Sequence, residues 1–141
     1  MGNFILDPRL EADSMPLGML ALCELRLMND SRWPWLLLVP MRAGAVEMHD
    51  LAAADQAALS REMAHCAKAL KAATGAMKIN TGALGNIVRQ LHIHVIARNE
   101  GDQNWPGPVW GFGTRQPCTP QEAAALKQRL APHLFPLESK A

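Results

Sequence analysis

"RQLHIHVIAR", residues 89–98, sets two histidines, His92 and His94, on alternate positions of an otherwise apolar run. Successive side chains of a strand point to opposite faces, so the spacing puts Gln90, His92 and His94 on one face. Leu91, Ile93 and Val95 take the other. One face has the composition of a core and the other that of a chemical site.

The surrounding chain bounds what that site can serve. With 141 residues and 49% hydrophobic content, the chain is expected to form one domain with a substantial core. A net charge of +1 without long like-charge runs argues against an electrostatic nucleic-acid surface, while a nucleotide-sized ligand needs only a few placed groups. Cys23, Cys66 and Cys118 are odd in number and form no CxxC pair, so they read as reduced thiols of a cytoplasmic protein. No early stretch joins a basic region to a long apolar one, so no signal peptide is expected. "WPWLLLVP" is too short to span a membrane.

Upstream, residues 1–18 scatter apolar residues among breakers and read as irregular. "LALCELRLMND" alternates, with Cys23, Leu25 and Leu27 on one face, as a half-buried strand does. Asn29-Asp30-Ser31 marks a turn, and the continuous apolar run "WLLLV" reads as a strand covered on both faces. Together they predict an antiparallel hairpin. From about Ala53 to Ala73, Leu59, Met63, Cys66 and Leu70 recur at helical spacing, and Gly75 closes the helix. His65 borders that stripe.

"MKIN" and "IVRQLHIHVIAR" read as two strands joined through "TGALGN". A Pro/Gly/Trp loop with Trp105, Trp110 and Phe112 follows. A C-terminal helix is then announced by Thr119 as N-cap, Pro120 at the first position and Glu122 completing a capping box.

Three readings of the histidine face compete. In the first, the histidines simply cap a solvated sheet face. In the second, His92 and His94 are metal ligands, since His-x-His on one strand face suits zinc or iron. The remaining candidate ligands, His49, His65, Cys66 and Cys118, lie in separate elements. In the third, one imidazole is a nucleophile. Its reference pKa of roughly 6.5 leaves it mostly uncharged near neutrality, able to attack an activated phosphorus and form a labile phosphoramidate.

"QLHIHVIAR" resembles the signature of the histidine triad (HIT) superfamily, three histidines alternating with apolar residues, with Gln90 in the first histidine's place. "LMNDSRWPWLLLVPMR" is similar to the family's first hairpin, "HDL" to the entry of its long helix, and "INTGALGNIV" to the segment carrying its phosphate turn. The ordered set covers about residues 20 to 98.

This resemblance implies an α+β fold, a five-stranded antiparallel sheet with one long packed helix and a C-terminal helix. It assigns residues 1–104 to the HIT-like domain, with 105–141 as a loop and helix on the same domain. It implies hydrolysis or transfer at the α-phosphate of a dinucleoside polyphosphate or nucleoside phosphoramidate, through a nucleotidyl intermediate on His92. His94 would hold the phosphate, Asn29 the ribose, and Asn80, Gly85 and Asn86 the phosphate-turn contacts. A homodimer is implied, with no required cofactor, although a divalent cation can accompany a polyphosphate substrate. No nucleic-acid or membrane partner is implied.

Two departures bear on turnover. Ile87 stands where the family often has a hydroxyl, and Gln90 can orient groups but cannot shuttle a proton at neutral pH. They are the features that would favour a nucleotide-binding protein with little turnover.

Overall fold

The computed structural model describes residues 3–136; residues 1–2 and 137–141, at the two ends of the assigned domain span, lie outside the described residues. The elements run α1 (Pro8–Asp13), β1 (Ser14–Met19), β2 (Cys23–Met28), β3 (Trp35–Pro40), a single 3-10 turn (Met48–Asp50), α2 (Ala53–Thr74), β4 (Lys78–Gly82), β5 (Ile93–Arg98) and α3 (Pro120–Leu134). The five strands form one antiparallel sheet in the order β1-β2-β3-β5-β4. This is the α+β architecture expected, with its long helix and C-terminal helix.

The opening segment departs from expectation. Residues 8–19 are not irregular: Asp7 caps α1 by accepting a hydrogen bond from the Arg9 N–H, and β1 becomes an edge strand. Alternation is hidden there because the register of β1 shifts by a bulge between Pro16 and Gly18. The histidine strand is also shorter than its apolar run suggests. β4 continues past "MKIN" to Gly82, and the connection runs irregularly through residues 83–92 rather than through "TGALGN" alone. Gln90 therefore lies off the strand.

Two cores sandwich the sheet. On one side, Leu59, Cys66 and Leu70 of α2 pack on Leu36, Leu38, Ile93 and Val95, joined by Leu130 and Leu134 of α3. Gly75 ends α2 in the left-handed conformation at φ 69°, where its N–H returns to the Lys71 carbonyl. His65 lies between the helices, its Nε2 2.9 Å from the Leu134 carbonyl oxygen, a structural contact for the boundary histidine. The capping box of α3 forms as its sequence indicates, with Glu122 N–H to Thr119 Oγ1 at 3.1 Å and Thr119 N–H to Glu122 Oε1 at 2.9 Å.

The opposite face is not solvated. Trp33, Trp35, Leu37, Val39 and Ile96 form a second core, covered by Phe4, Leu6 and Leu10 from the start of the chain and by Val109 and Trp110 from the late loop. All six residues of β3 are accordingly buried, as its continuous apolar run requires. The three cysteines are free, with Cys23 and Cys66 in the first core. Among the described residues, no helix is long and apolar enough to cross a membrane.

One charge is sealed into the second face. Arg98, 1% exposed, donates from Nε and Nη2 to the two carboxylate oxygens of Asp102 at 2.8 Å each, and its Nη1 reaches the Gly107 carbonyl. The hydrogen bond from Arg98 holds the Asp102 carboxyl below the ordinary range. Removing one partner of a buried pair strands the other charge. Asp102→Ala should therefore cost about 3 kcal/mol of unfolding free energy in denaturant titration.

Candidate active site

β5 carries His94, and His92 stands immediately before its first residue; the two alternate with Ile93 and Val95, which belong to the first core. Pairing with β3 places His94 across from Leu37, beside Trp35. The Trp35 indole N–H donates to His94 Nδ1 at 3.0 Å. An acceptor at Nδ1 means that the neutral ring carries its proton on Nε2, which becomes a donor. Burial, and then the neighbouring His92, push the His94 pKa down to about 3, so the ring is neutral across the physiological range. Trp110 closes on its other side with ring centroids 5.4 Å apart.

His92 has the complementary arrangement. Its Nδ1 lies 2.7 Å from the backbone carbonyl of Gln90, and a carbonyl can only accept, so Nδ1 carries the proton. Nε2 is left with its lone pair. The two imidazoles meet edge to face with centroids 4.9 Å apart, one presenting a lone pair and the other a proton.

His92 lines a cavity of about 450 Å³ whose walls include Met48, Gly85, Asn86, Arg89 and Gln90. A Cβ on Gly85 would lie 2.8 Å from the Val88 carbonyl oxygen and 3.6 Å from His92 Cε1. Only glycine lets the connecting backbone fold this tightly beside the imidazole. Gly82 is similarly constrained, since a Cβ there would stand 3.1 Å from the Trp110 ring.

The structure thus gathers His92, His94, Gln90, Gly85 and Asn86, and it separates Asn29 and Asn80 from them. Leu27 pairs with Leu36 and Leu36 with Val95, so Asn29 lies toward the Arg98 end of β5, where its Oδ1 accepts the Cys118 N–H at 2.9 Å. Asn80 pairs with Ile96, and its Oδ1 accepts from Arg98 at 3.3 Å. Ile87 points outward, 78% exposed. Gln90 has a double engagement: its Nε2 donates to the Ile5 carbonyl and its Oε1 accepts the Asp7 N–H, each at 2.9 Å.

Among the described residues, no group of three or more His, Cys, Asp or Glu side chains is disposed to share an ion. Trp35 and Arg89 were not singled out as site residues by the sequence, whereas Trp110 stood in the loop whose place after the histidine strand offers it as a cover for the site. For Trp35 the local signal is its alternation with Leu37 and Val39, which assigns a face but not a partner.

The His94 ring makes stability depend on pH. In the unfolded chain it gains its proton near the ordinary 6.5, but in the fold only near 3. Between these values the unfolded state holds more protons, so stability falls as pH falls from about 6.5 toward 3. The slope from this one group is at most about 1.4 kcal/mol per pH unit. Unfolding free energies at about pH 6.5 and about pH 4.5 should show wild type losing roughly 2 kcal/mol more than His94→Leu. Equal losses would contradict the buried neutral ring.

Comparison with protein-family profiles matches residues 9–101 to the HIT domain. A histidine triad (HIT) protein from Sinorhizobium meliloti 1021 is 59% identical, covering 93% of this chain and 97% of that one, with a TM-score of 0.91. A histidine triad protein from Marinobacter aquaeolei VT8 is 43% identical over 94% and 97% of the two chains, with a TM-score of 0.92. One from Bradyrhizobium japonicum is 41% identical over 92% and 99%, with a TM-score of 0.87. A search of curated proteins finds no match.

Proposed function

Because the chain belongs to the HIT family, we propose that it is a nucleotidyl hydrolase or transferase acting through a covalent intermediate on His92. The observation that carries this reading is the hydrogen bond from His92 Nδ1–H to the Gln90 carbonyl, which leaves Nε2 as the nucleophilic nitrogen on a residue lining the cavity.

In the first step, Nε2 donates its lone pair to the α-phosphorus and a P–N bond forms. The bond from phosphorus to the leaving group breaks, and that group takes the electron pair. In the second, water attacks the phosphorus, the P–N bond breaks, and the electron pair returns to Nε2 while the water's proton passes to solvent. His94 Nε2–H is suited to donate to a phosphate oxygen, since Trp35 holds its other nitrogen as an acceptor. Asn86 and the backbone around Gly85 are assigned as further phosphate contacts, with Arg89 adding positive charge at the wall. Asn29 and Asn80, engaged by Cys118 and Arg98, are assigned to the scaffold.

Gln90 bears on the leaving group. Its amide cannot give up a proton at neutral pH, and both its hydrogen-bonding groups are occupied by the chain's opening segment. Departure without a proton favours weakly basic leaving groups, so a dinucleoside polyphosphate fits this site better than a nucleoside phosphoramidate. The same reading carries a cytosolic homodimer with no resident cofactor, a divalent cation accompanying a polyphosphate substrate. Gln90 and Ile87 favour a second reading, a nucleotide-binding protein with little turnover. Fluorogenic adenosine phosphoramidate and a diadenosine polyphosphate, each with and without chelator, separate the two readings and also test metal-dependent use of His92 and His94.

His92→Ala should abolish turnover while leaving nucleotide affinity and the thermal midpoint close to wild type, because a nucleophile acts on the barrier more than on ground-state binding. A nucleotidyl mass increment on wild-type His92 after rapid quench is the direct positive sign. Near wild-type activity in the alanine variant would rule the covalent route out.

A further inference from the structure

We propose that Gln90 is a positioning residue whose side chain docks residues 4–7 against the cavity wall, and that this docking fixes the reactive tautomer of His92. Two observations meet at this residue. Its side-chain amide makes a two-point clamp on a distant backbone, Nε2–H to the Ile5 carbonyl and Oε1 from the Asp7 N–H, both at 2.9 Å. Its own backbone carbonyl takes the His92 Nδ1 proton at 2.7 Å. Residues 83–92 form no helix or strand, and the peptide unit that carries the Gln90 carbonyl is held on its other side by the Leu91 N–H donating to the Ala45 carbonyl at 3.0 Å. The clamp adds a second restraint, on the Gln90 side of that peptide.

The docked segment is itself anchored. Phe4 and Leu6 turn inward onto the second core while Ile5 is 78% exposed, the alternation of an extended strand. Asp7 then caps α1, and Leu10 is buried with Trp33 and Trp35. The segment thus touches both halves of the site, since Trp35 orients His94 while Gln90 orients His92. In this arrangement Gln90 is a strap-holder rather than a defective proton donor, and the opening residues belong to the active site.

The tautomer is the quantity at stake. An unrestrained neutral imidazole of histidine favours its proton on Nε2, the form that cannot attack through that nitrogen. With the Gln90 carbonyl in place, the proton sits on Nδ1 and the lone pair on Nε2. Loosening the carbonyl should return the ring toward the unreactive form, and a change at Asp7 does so without altering a residue of the cavity wall.

The test separates the clamp from the cap. Asp7 has φ −57°, which proline shares, so Asp7→Pro deletes the N–H that donates to Gln90 with little backbone change. It also removes the carboxylate cap, so the reference is Asp7→Ala, which loses the cap but keeps the N–H. Gln90→Met deletes both clamp bonds at similar side-chain length, and Gln90→Glu keeps the acceptor for Asp7 while losing the donor to Ile5. The first readout is the nitrogen-15 spectrum of the His92 ring at mildly alkaline pH, which reports the tautomer in the free protein.

Wild type and Asp7→Ala should show Nδ1–H predominating. Asp7→Pro and Gln90→Met should shift toward Nε2–H, with Gln90→Glu between. The second readout rests on the reading of function above: kcat on a diadenosine polyphosphate should fall about tenfold or more in Asp7→Pro relative to Asp7→Ala, with KM little changed. An unchanged tautomer in both Asp7→Pro and Gln90→Met, with thermal midpoints alone reduced, would overturn the proposal. A wild type that turns over no nucleotide would instead remove the proposed function, while the tautomer measurement would still decide the strap.

Discussion

A buried imidazole must be neutral and must find a partner for at least one nitrogen, and His94 meets both demands through Trp35. Unsatisfied, such a group costs on the order of 1–3 kcal/mol, and charged it costs more. The indole N–H at 3.0 Å removes that penalty and simultaneously dictates which nitrogen carries the proton. That bond requires β3 beside β5 in one register, because a slip by one residue would send Trp35 or His94 to the helix-covered face. Sheet order, the second core and the chemical polarity of the histidine pair follow from this one placement. Stability and site chemistry are coupled here through the same hydrogen bond.

The second face shows how the site becomes dry enough for that coupling. The sheet carries its two long helices on one side, yet the other side is sealed by short pieces, Phe4 to Leu10 with the start of α1 and the loop around Val109 and Trp110. Exposed indoles would leave His94 in water, where its pKa would approach the ordinary imidazole value. Covering segments without long regular structure are sufficient, because each contributes two or three apolar side chains to a surface that β3 and β5 have already shaped.

The sequence made the alternation of His92 and His94 with Ile93 and Val95 legible because a strand's period is two and needs no distant information. The α2 stripe and the α3 capping box were legible for the same local reason. The start of β5 was not. Apolar Leu91 continues the alternation and Val88 extends the apolar character upstream, but Leu91 bonds to the Ala45 carbonyl and Val88 packs on the second core, both contacts far apart in sequence. Residues 8–19 were opaque because Pro16 and the bulge break the alternation of β1. The role of Gln90 was half legible: amide chemistry excluded proton transfer, but only the fold could reveal Ile5 and Asp7 as its partners.

The bulge in β1 has a bearing on solubility as well as on shape. An outermost strand offers a row of open amide and carbonyl groups to any other extended chain, which is how sheets grow into aggregates. In β1, Pro16 has no N–H to offer, and the shift between Pro16 and Gly18 breaks the even spacing that a docking strand would have to match. The Phe135 ring lies against Gly18, where any Cβ would collide with it. The irregularity that obscured this strand in the sequence therefore makes it a poor template for another chain, and replacing Pro16 with a β-branched residue would give the sheet a more adhesive border.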